Sequence, residues 1–251
     1  MLIDTHIHVG QFFNLYFDPS AVHELMKHLD VDYYAVSSTT QCEENYPKVL
    51  SEIEELIRLD GKKVLPIMWI TPEALQGNIA WYMESDIRWR MLKVHPELHP
   101  DAWLPTGGNF AEVIEIAREL RLPLLIHTGN YEYCYAGTFA SLIRQNPEIV
   151  FILAHGRPLR ETIELLKHND NAFADSAFMP LSDMMQIINE GLANKLLWGT
   201  DMCVPQHYYP QMDLEDYYNK KRKSFQQCCG REQYKMVTCR NACKIFNIKQ
   251  N

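Results

Sequence analysis

Short apolar runs rich in β-branched residues alternate with longer amphipathic stretches along the chain. Runs of this kind predict buried parallel strands, and the amphipathic stretches predict helices that cover them. The carboxyl ends of successive runs are about 20 to 32 residues apart, which leaves room for one helix and two short loops each time. The eight predicted strands are residues 2–8, 32–38, 63–70, 90–96, 122–128, 149–155, 171–177 and 195–201. Eight such units predict an α/β protein with a (β/α)8 TIM barrel.

The stretches between these strands carry apolar residues at helical spacing. They predict helices at residues 20–29, 43–59, 73–85, 109–120, 137–145, 159–168 and 181–189. Residues 211–251 follow the last strand and predict one or two C-terminal helices that flank the barrel. No linker rich in glycine, proline or serine divides the sequence, so residues 1–251 are expected to form a single domain.

The composition narrows the class of partner. Of the 251 residues, 47% are hydrophobic and 22% are charged, and no apolar run approaches the roughly 20 residues that span a bilayer. A net charge of -8 offers no basic stripe for a phosphate backbone. We therefore expect a small-molecule substrate, no nucleic acid and no membrane, with a homodimer as the candidate assembly. The first residues lack the segments of a secretion signal, which predicts a cytoplasmic location.

Histidines lie at the ends of several predicted strands. His6 and His8 are separated by one residue on the first strand, so the alternation of side chains puts both on one face and Ile3 on the other. The fifth, sixth and eighth strands end at His127, His155 and Asp201. In a barrel, the carboxyl ends of the strands meet at one mouth. Residues far apart in the sequence are therefore expected to share a site.

Three imidazoles and one carboxylate suit zinc or another divalent first-row metal, and they leave a position for water, whose pKa the ion would lower toward neutrality. We interpret the ligands as His6, His8, His127 and Asp201. Asp201 is also expected to accept the proton of the water, and His155 is interpreted as a catalytic or substrate-orienting base, with metal binding as its alternative. A single histidine at a strand end is usually structural. The recurrence on different strands is what favours a metal site.

Further polar residues at or just past the strand ends predict the substrate pocket, because loops at this face of a barrel set specificity. They are Lys93, His95, Asn130, Arg157 and Ser176. Arg157 offers a planar fork that suits a carboxylate or phosphate, which predicts an anionic substrate. A salt bridge from Arg157 to a neighbouring loop is the equal alternative.

Five short motifs, taken in order, resemble the amidohydrolase superfamily. They are DTHIH (4–8), KVHP (93–96), IHTG (126–129), AHGR (154–157) and WGTD (198–201). Within the superfamily, the chain is similar to the amidohydrolase-related branch that includes aminocarboxymuconate semialdehyde decarboxylase. The resemblance extends to the NACKIF segment at residues 241–246.

The resemblance implies a metal-dependent barrel enzyme in which His6, His8, His127 and Asp201 hold the ion. It also implies that His155 polarises the substrate or steadies the attacking water. In binuclear relatives, a carboxylated lysine or a glutamate at the end of strand four bridges two metals. Lys93 has that place here, but the His-Pro that follows is more typical of single-metal relatives. One ion, with zinc favoured, is therefore expected, and two ions bridged by a carbamylated Lys93 are the alternative.

The expected reaction is hydrolysis of an amide, ester or lactone bond. Water activated by the metal attacks the carbonyl, Asp201 takes its proton, and His155 stabilises the oxyanion. Two alternatives stay open. Metal-dependent decarboxylation of an unsaturated carboxylic acid, a lyase reaction, would use the same ligands. The other alternative is a non-catalytic barrel that binds metal and ligand without turnover.

Overall fold

The computed structural model describes residues 1–249, and all eight predicted strands are present among them. With one short additional strand, β2, the strands are β1 Ile3–Phe12, β2 Leu15–Phe17, β3 Tyr33–Ser38, β4 Val64–Trp69, β5 Met91–Val94, β6 Leu124–His127, β7 Phe151–Ala154, β8 Ala172–Asp175 and β9 Leu196–Leu197. β1 is longer than predicted, because it continues past His8 into an antiparallel hairpin with β2. That hairpin was not expected from the sequence.

The strands form one closed ring. Their order is β2-β1-β3-β4-β5-β6-β7-β8-β9, and all neighbours except β1 and β2 pair in parallel. Backbone hydrogen bonds join β1 to the segment around and after β9. The Thr5 amide donates to the Trp198 carbonyl and the Asp201 amide donates to the His6 carbonyl, each at 2.8 Å. The predicted TIM barrel is confirmed, and its closure brings Asp201 beside His6.

Apolar side chains fill the barrel interior toward the amino ends of the strands. They form one buried cluster with the C-terminal segment, whose members include Ile3, Ala35, Leu65, Ile67, Met91, Leu125, Ile152, Phe173, Leu197, Ala242 and Phe246. Because side chains alternate along a strand, the next inward positions after Met91, Leu125 and Phe173 are Lys93, His127 and Asp175. The interior is therefore apolar at the amino ends of the strands and polar at their carboxyl ends.

The first strand departs from simple alternation. The register of β1 against β3 shifts between Asp4 and Ile7, so that one extra residue is accommodated in β1 as a β-bulge. Ile3 belongs to the interior cluster, although it precedes His6 by an odd number of residues. The prediction that Ile3 faces away from His6 was wrong, because the bulge reverses the alternation between them.

Helices follow the strands in the predicted order. They are α1 Pro19–His28, α2 Tyr46–Asp60, α3 Ala80–Met83, α4 Gly108–Leu120, α5 Ala140–Gln145, α6 Leu159–His168 and α7 Leu181–Asn189. The bounds of α6 and α7 are those predicted. The predicted helix at 73–85 is interrupted, because Gly77 adopts a φ of +119° within the π-helical turn Ala74–Asn78 that precedes α3.

Four helices follow the last barrel strand: α8 Pro205–Tyr208, α9 Leu214–Cys228, α10 Arg231–Lys235 and α11 Asn241–Phe246. α8 was not predicted. α9 is one predicted flanking helix, and α10 continues through the π-helical turn Met236–Arg240 into α11 to form the second. The last two residues of the predicted range lie outside the described chain. Among the helices of residues 1–249, none combines the length and apolar character needed to cross a bilayer.

Candidate metal centre

Three ligand atoms meet at the seam between β1 and the segment after β9. Nε2 of His8 lies 2.9 Å from Oδ1 of Asp201, and Nε2 of His6 lies 3.3 Å from the same oxygen. All three residues are buried, and their ligand atoms lie within 4.8 Å of one another. Asp201 adopts a left-handed backbone conformation, with a φ of +61°. Three of the four predicted metal ligands are therefore together.

The second nitrogen of each imidazole is held by another strand. Nδ1 of His6 lies 2.8 Å from Oδ2 of Asp175 at the end of β8, and Nδ1 of His8 lies 3.1 Å from the Ser37 hydroxyl on β3. Burial raises the pKa of Asp175, but His6 and further hydrogen-bond donors outweigh burial and lower that pKa overall. Because an ionised carboxylate only accepts hydrogen bonds, Asp175 favours a hydrogen on Nδ1 of His6, and Nε2 is the nitrogen that faces Asp201.

This donor set fits a divalent metal ion. Nε2 of His6 and an Asp201 oxygen face each other at 3.3 Å, and the Lys93 ammonium lies 3.1 Å from that nitrogen, so positive charge is already stabilised at this place. Burial, followed by the charge of Lys93, lowers the pKa of His8 to about 3, so His8 is neutral near pH 7. Burial raises the pKa of Asp201, but the nearby histidines bring it well below its usual range. Imidazole and carboxylate groups are ligands typical of zinc and related ions.

Lys93 is a cation at the edge of this cluster. Its Nζ lies 3.1 Å from Nε2 of His6 and 3.2 Å from Nε2 of His8. The same atom lies 4.4 Å from the ring centre of Trp69. Burial lowers the pKa of Lys93 to about 8, although the charge of Asp201 opposes the change. Lys93 therefore reaches the cluster, as a substrate-binding role and a metal-bridging role both require.

His127, the fourth predicted ligand, lies outside the group of three. Its Nε2 is 2.9 Å from Oε2 of Glu97, and its Nδ1 is 3.1 Å from Nε2 of His155. Nδ1 of His155 is 3.0 Å from the carbonyl of Ala177, which only accepts hydrogen bonds, so that nitrogen carries the hydrogen. The ring centres of His155 and His6 are 5.5 Å apart. The pair therefore adjoins the three-residue cluster.

Burial keeps this second pair of histidines neutral. Burial and then the charge of His127 lower the pKa of His155 to about 3. Burial also lowers the pKa of His127, while the hydrogen bond from His127 lowers the pKa of Glu97. His155 thus presents the lone pair of Nε2, with its only hydrogen directed at a backbone carbonyl. That arrangement suits the predicted role of base and does not supply the donor that oxyanion stabilisation requires.

A cavity of about 310 Å³ adjoins these groups. Four of the five predicted substrate-binding residues line it, namely Lys93, His95, Asn130 and Arg157. Aromatic rings supply much of the remaining wall, from Phe12, Trp69, Phe178, Tyr208 and Tyr209. The volume is that of a small-molecule site, and its lining combines polar and aromatic side chains.

Ser176 does not line this cavity. Its buried hydroxyl donates to the Gly199 carbonyl at 3.0 Å and accepts from the Gly199 amide at 3.1 Å. Side chains alternate along β8, so the residue that reaches the site is its neighbour Asp175. The expected substrate-binding role of Ser176 is therefore replaced by a structural one, which ties the end of β8 to the segment after β9.

Several residues of the site were missed from the sequence. Four that contact the histidines or Lys93 are Ser37, Trp69, Glu97 and Asp175. Three of them lie at the ends of β3, β4 and β8, where the rule that selected the histidines applies equally. Glu97 lies in the loop after β5, and no strand periodicity indicates where its side chain lies.

Residues 66–248 match the sequence model of the amidohydrolase family. None of the curated protein sequences matches the chain. Among solved structures, the fold is similar to a probable 2-pyrone-4,6-dicarboxylic acid hydrolase from Acinetobacter baumannii with citric acid bound, at 12% identity over 98% of this chain and 99% of that chain, with a TM-score of 0.70.

Two decarboxylase structures share the fold. For 5-carboxyvanillate decarboxylase from Sphingomonas paucimobilis, the identity is 13% over 99% of each chain and the TM-score is 0.69. For 5-carboxyvanillate decarboxylase from Novosphingobium aromaticivorans, which has manganese bound, the identity is 8% over 98% of this chain and 97% of that chain, with a TM-score of 0.67.

Proposed function

Because this chain belongs to the amidohydrolase family, we propose that it is a metal-dependent hydrolase of an amide, ester or lactone bond in a small anionic substrate. The observation that carries the proposal is the convergence of the ligand atoms of His6, His8 and Asp201 beside the cavity. We assign these three residues as metal ligands and His127 as the fourth. Zinc is the proposed ion, since imidazole and carboxylate ligands suit it.

The residues around the ion have separate tasks in this proposal. A divalent ion, when bound, would supply Lewis acidity toward a carbonyl oxygen and make water a stronger acid. The His155 Nε2 lone pair accepts a hydrogen of the attacking water and orients it. Asp201 is ionised, so it accepts the proton and passes it to the leaving group.

The cavity lining supports an anionic substrate. Arg157 and Lys93 provide positive charge, and Asn130 provides an amide donor. His95 contributes a buried ring nitrogen, Nδ1, with no hydrogen-bond partner among the described residues. A polar atom of this kind is costly to bury unless a ligand or water pairs with it. We propose that these four residues bind the substrate.

Metal analysis of purified variants tests the function. His6→Ala, His8→Ala and Asp201→Asn should lose stoichiometric zinc and all turnover of carboxylate-bearing esters, lactones and amides. His168→Ala, at an exposed position on α6, is the matched control and should keep both. Unchanged metal content in all three site variants would overturn the metal assignment.

Decarboxylation is the second candidate function. Both decarboxylase structures align over nearly the whole chain, and the same cluster could hold the ion for breaking a carbon–carboxylate bond. The two reactions differ in their products. Carbon dioxide release from an unsaturated carboxylic acid, without addition of water, would replace the hydrolase proposal with this one.

A further inference from the structure

Glu97 lines the cavity but has no part in the proposed reaction. It lies in the loop after β5, and its Oε2 is 2.9 Å from Nε2 of His127. The Cys134 thiol is a second, weaker donor to the same oxygen, at 3.9 Å. Two donors thus hold Glu97 against the proposed fourth ligand.

We propose that Glu97 is a positioning residue that fixes the tautomer of His127 and makes Nδ1 the nitrogen that binds the metal. The inference rests on the proposed function, because that function assigns His127 to the metal site. A carboxylate accepts hydrogen bonds and does not donate them, so the hydrogen of neutral His127 lies on Nε2. The lone pair then lies on Nδ1 and faces the Nε2 lone pair of His155 at 3.1 Å, which is repulsive unless a cation or a proton lies near them.

Stacking restrains the same ring in a second way. The ring of His95 lies nearly parallel to that of His127, with 3.7 Å between centres and 17° between planes. His95 stacks in turn on Trp69, at 5.5 Å and 18°. The stack limits the tilt of His127, and the hydrogen bond to Glu97 limits its rotation about the Cβ–Cγ bond. Together they aim Nδ1 at the site, which is how a partner beyond the metal ligands strengthens metal binding.

Gly129 makes room for this arrangement. A Cβ atom at position 129 would lie 1.8 Å from Oε2 of Glu97, far inside any permitted contact. Glycine is therefore required there for Glu97 to reach His127. Gly129→Ala is expected to displace the carboxylate without changing its chemistry, so it serves as an independent variant.

The test combines NMR of the histidine ring nitrogens in metal-free protein with zinc titration against a chromophoric chelator. In the wild type, His127 should carry its hydrogen on Nε2. Glu97→Ala and Gly129→Ala should lose that preference and bind zinc about 10-fold more weakly, which is no more than the loss expected from removal of His127 itself. Glu97→Gln keeps an acceptor oxygen, so it should restore most of the preference and the affinity. Glu132→Ala, exposed in the loop after β6, is the matched control.

The outcomes separate this inference from the proposed function. If folded Glu97→Ala keeps the hydrogen of His127 on Nε2, or binds zinc as tightly as the wild type, the role of Glu97 is overturned. Near-native circular dichroism of Glu97→Gln and Glu97→Ala establishes that they fold, even where Gly129→Ala does not. A wild-type protein that binds no zinc would instead overturn the proposed function, and the ring-nitrogen spectra would still decide whether Glu97 sets the tautomer.

Discussion

His6 and His127 lie at the same end of the barrel, but different kinds of residue hold them. His6 is oriented by Asp175, which ends the barrel strand β8, whereas His127 is oriented by Glu97 in a loop. A group held between strands shares the rigidity of the barrel, and a group held by a loop depends on the conformation of that loop. The position of His6 is thus a property of the barrel itself, whereas the position of His127 depends on a loop, the most variable part of the fold.

The largest expected effect is a difference in zinc affinity between a variant of a histidine on β1 and a variant of the histidine that is held by a loop. His8→Ala removes one of three converging ligands and should weaken zinc binding by more than about 100-fold, whereas His127→Ala should weaken it by about 10-fold. Zinc titration of both folded variants provides the measurement. Equal losses would show that the strand-held and loop-held histidines contribute alike, and the contrast between them would fail.

Asp175→Asn tests how the strand-held group is oriented. Oδ1 of Asp175 accepts from the amides of His155 and Ala177, so the asparagine oxygen should stay there and its amide group should face Nδ1 of His6. A donor at that position favours hydrogen on Nε2 of His6, which removes the lone pair from the cluster. Zinc affinity should fall by about 10- to 100-fold. Ring-nitrogen NMR should show the exchanged tautomer, and an unchanged His6 spectrum would contradict the mechanism.

Lys93 should make metal binding by His6, His8 and Asp201 depend on pH. Its pKa is lowered to about 8, so the side chain is mostly charged at pH 7 and loses its charge as the pH rises through 8. A positive charge next to two ligand nitrogens opposes a second cation. Manganese affinity should therefore rise by about 3- to 10-fold between pH 7 and pH 9.

Lys93→Met is the variant for this pH profile. It should bind manganese more tightly than the wild type at pH 7 and show a flatter profile, because no charge is lost as the pH rises. Lys62→Met, at an exposed position, should follow the wild type. If Lys93→Met keeps the wild-type slope, another group causes the pH dependence.

The smallest effect on metal binding is expected at Ser176, the sequence neighbour of Asp175. Ser176→Ala leaves the buried amide and carbonyl of Gly199 without this partner, which should cost about 1 to 3 kcal/mol of unfolding free energy. Zinc affinity should change less than about twofold, since the hydroxyl does not line the cavity. Urea unfolding and zinc titration measure the two quantities side by side, and a large affinity loss without destabilisation would return Ser176 to the site.

Most of the barrel was predictable because its signals are local. An apolar run followed by an amphipathic stretch indicates a strand and a helix without knowledge of the rest of the chain, and α6 and α7 were placed at their observed bounds. The bulge in β1 and the hairpin with β2 were missed. Both depend on how β1 pairs with its neighbours, which no pattern within a single strand encodes.

The site was predictable to the extent that strand ends determine it. His6, His8 and Asp201 are brought together, because the carboxyl ends of the strands converge whatever the loops do. Choosing Asp175 over Ser176 required the inward phase of β8, which only the barrel register provides. Glu97 was out of reach, since its position depends on loop packing against Gly129.

The ring closure between β1 and the end of β9 also determines at what point during protein synthesis this site can form. Thr5 and its partner Trp198 are 193 positions apart in the chain, and the ribosome makes β9 after all the other strands. Until that segment emerges, one edge of β1 lacks its partner and its two histidines lack Asp201. During synthesis the proposed metal site is therefore assembled last, and a chain truncated before β9 would carry the histidine pair without Asp201.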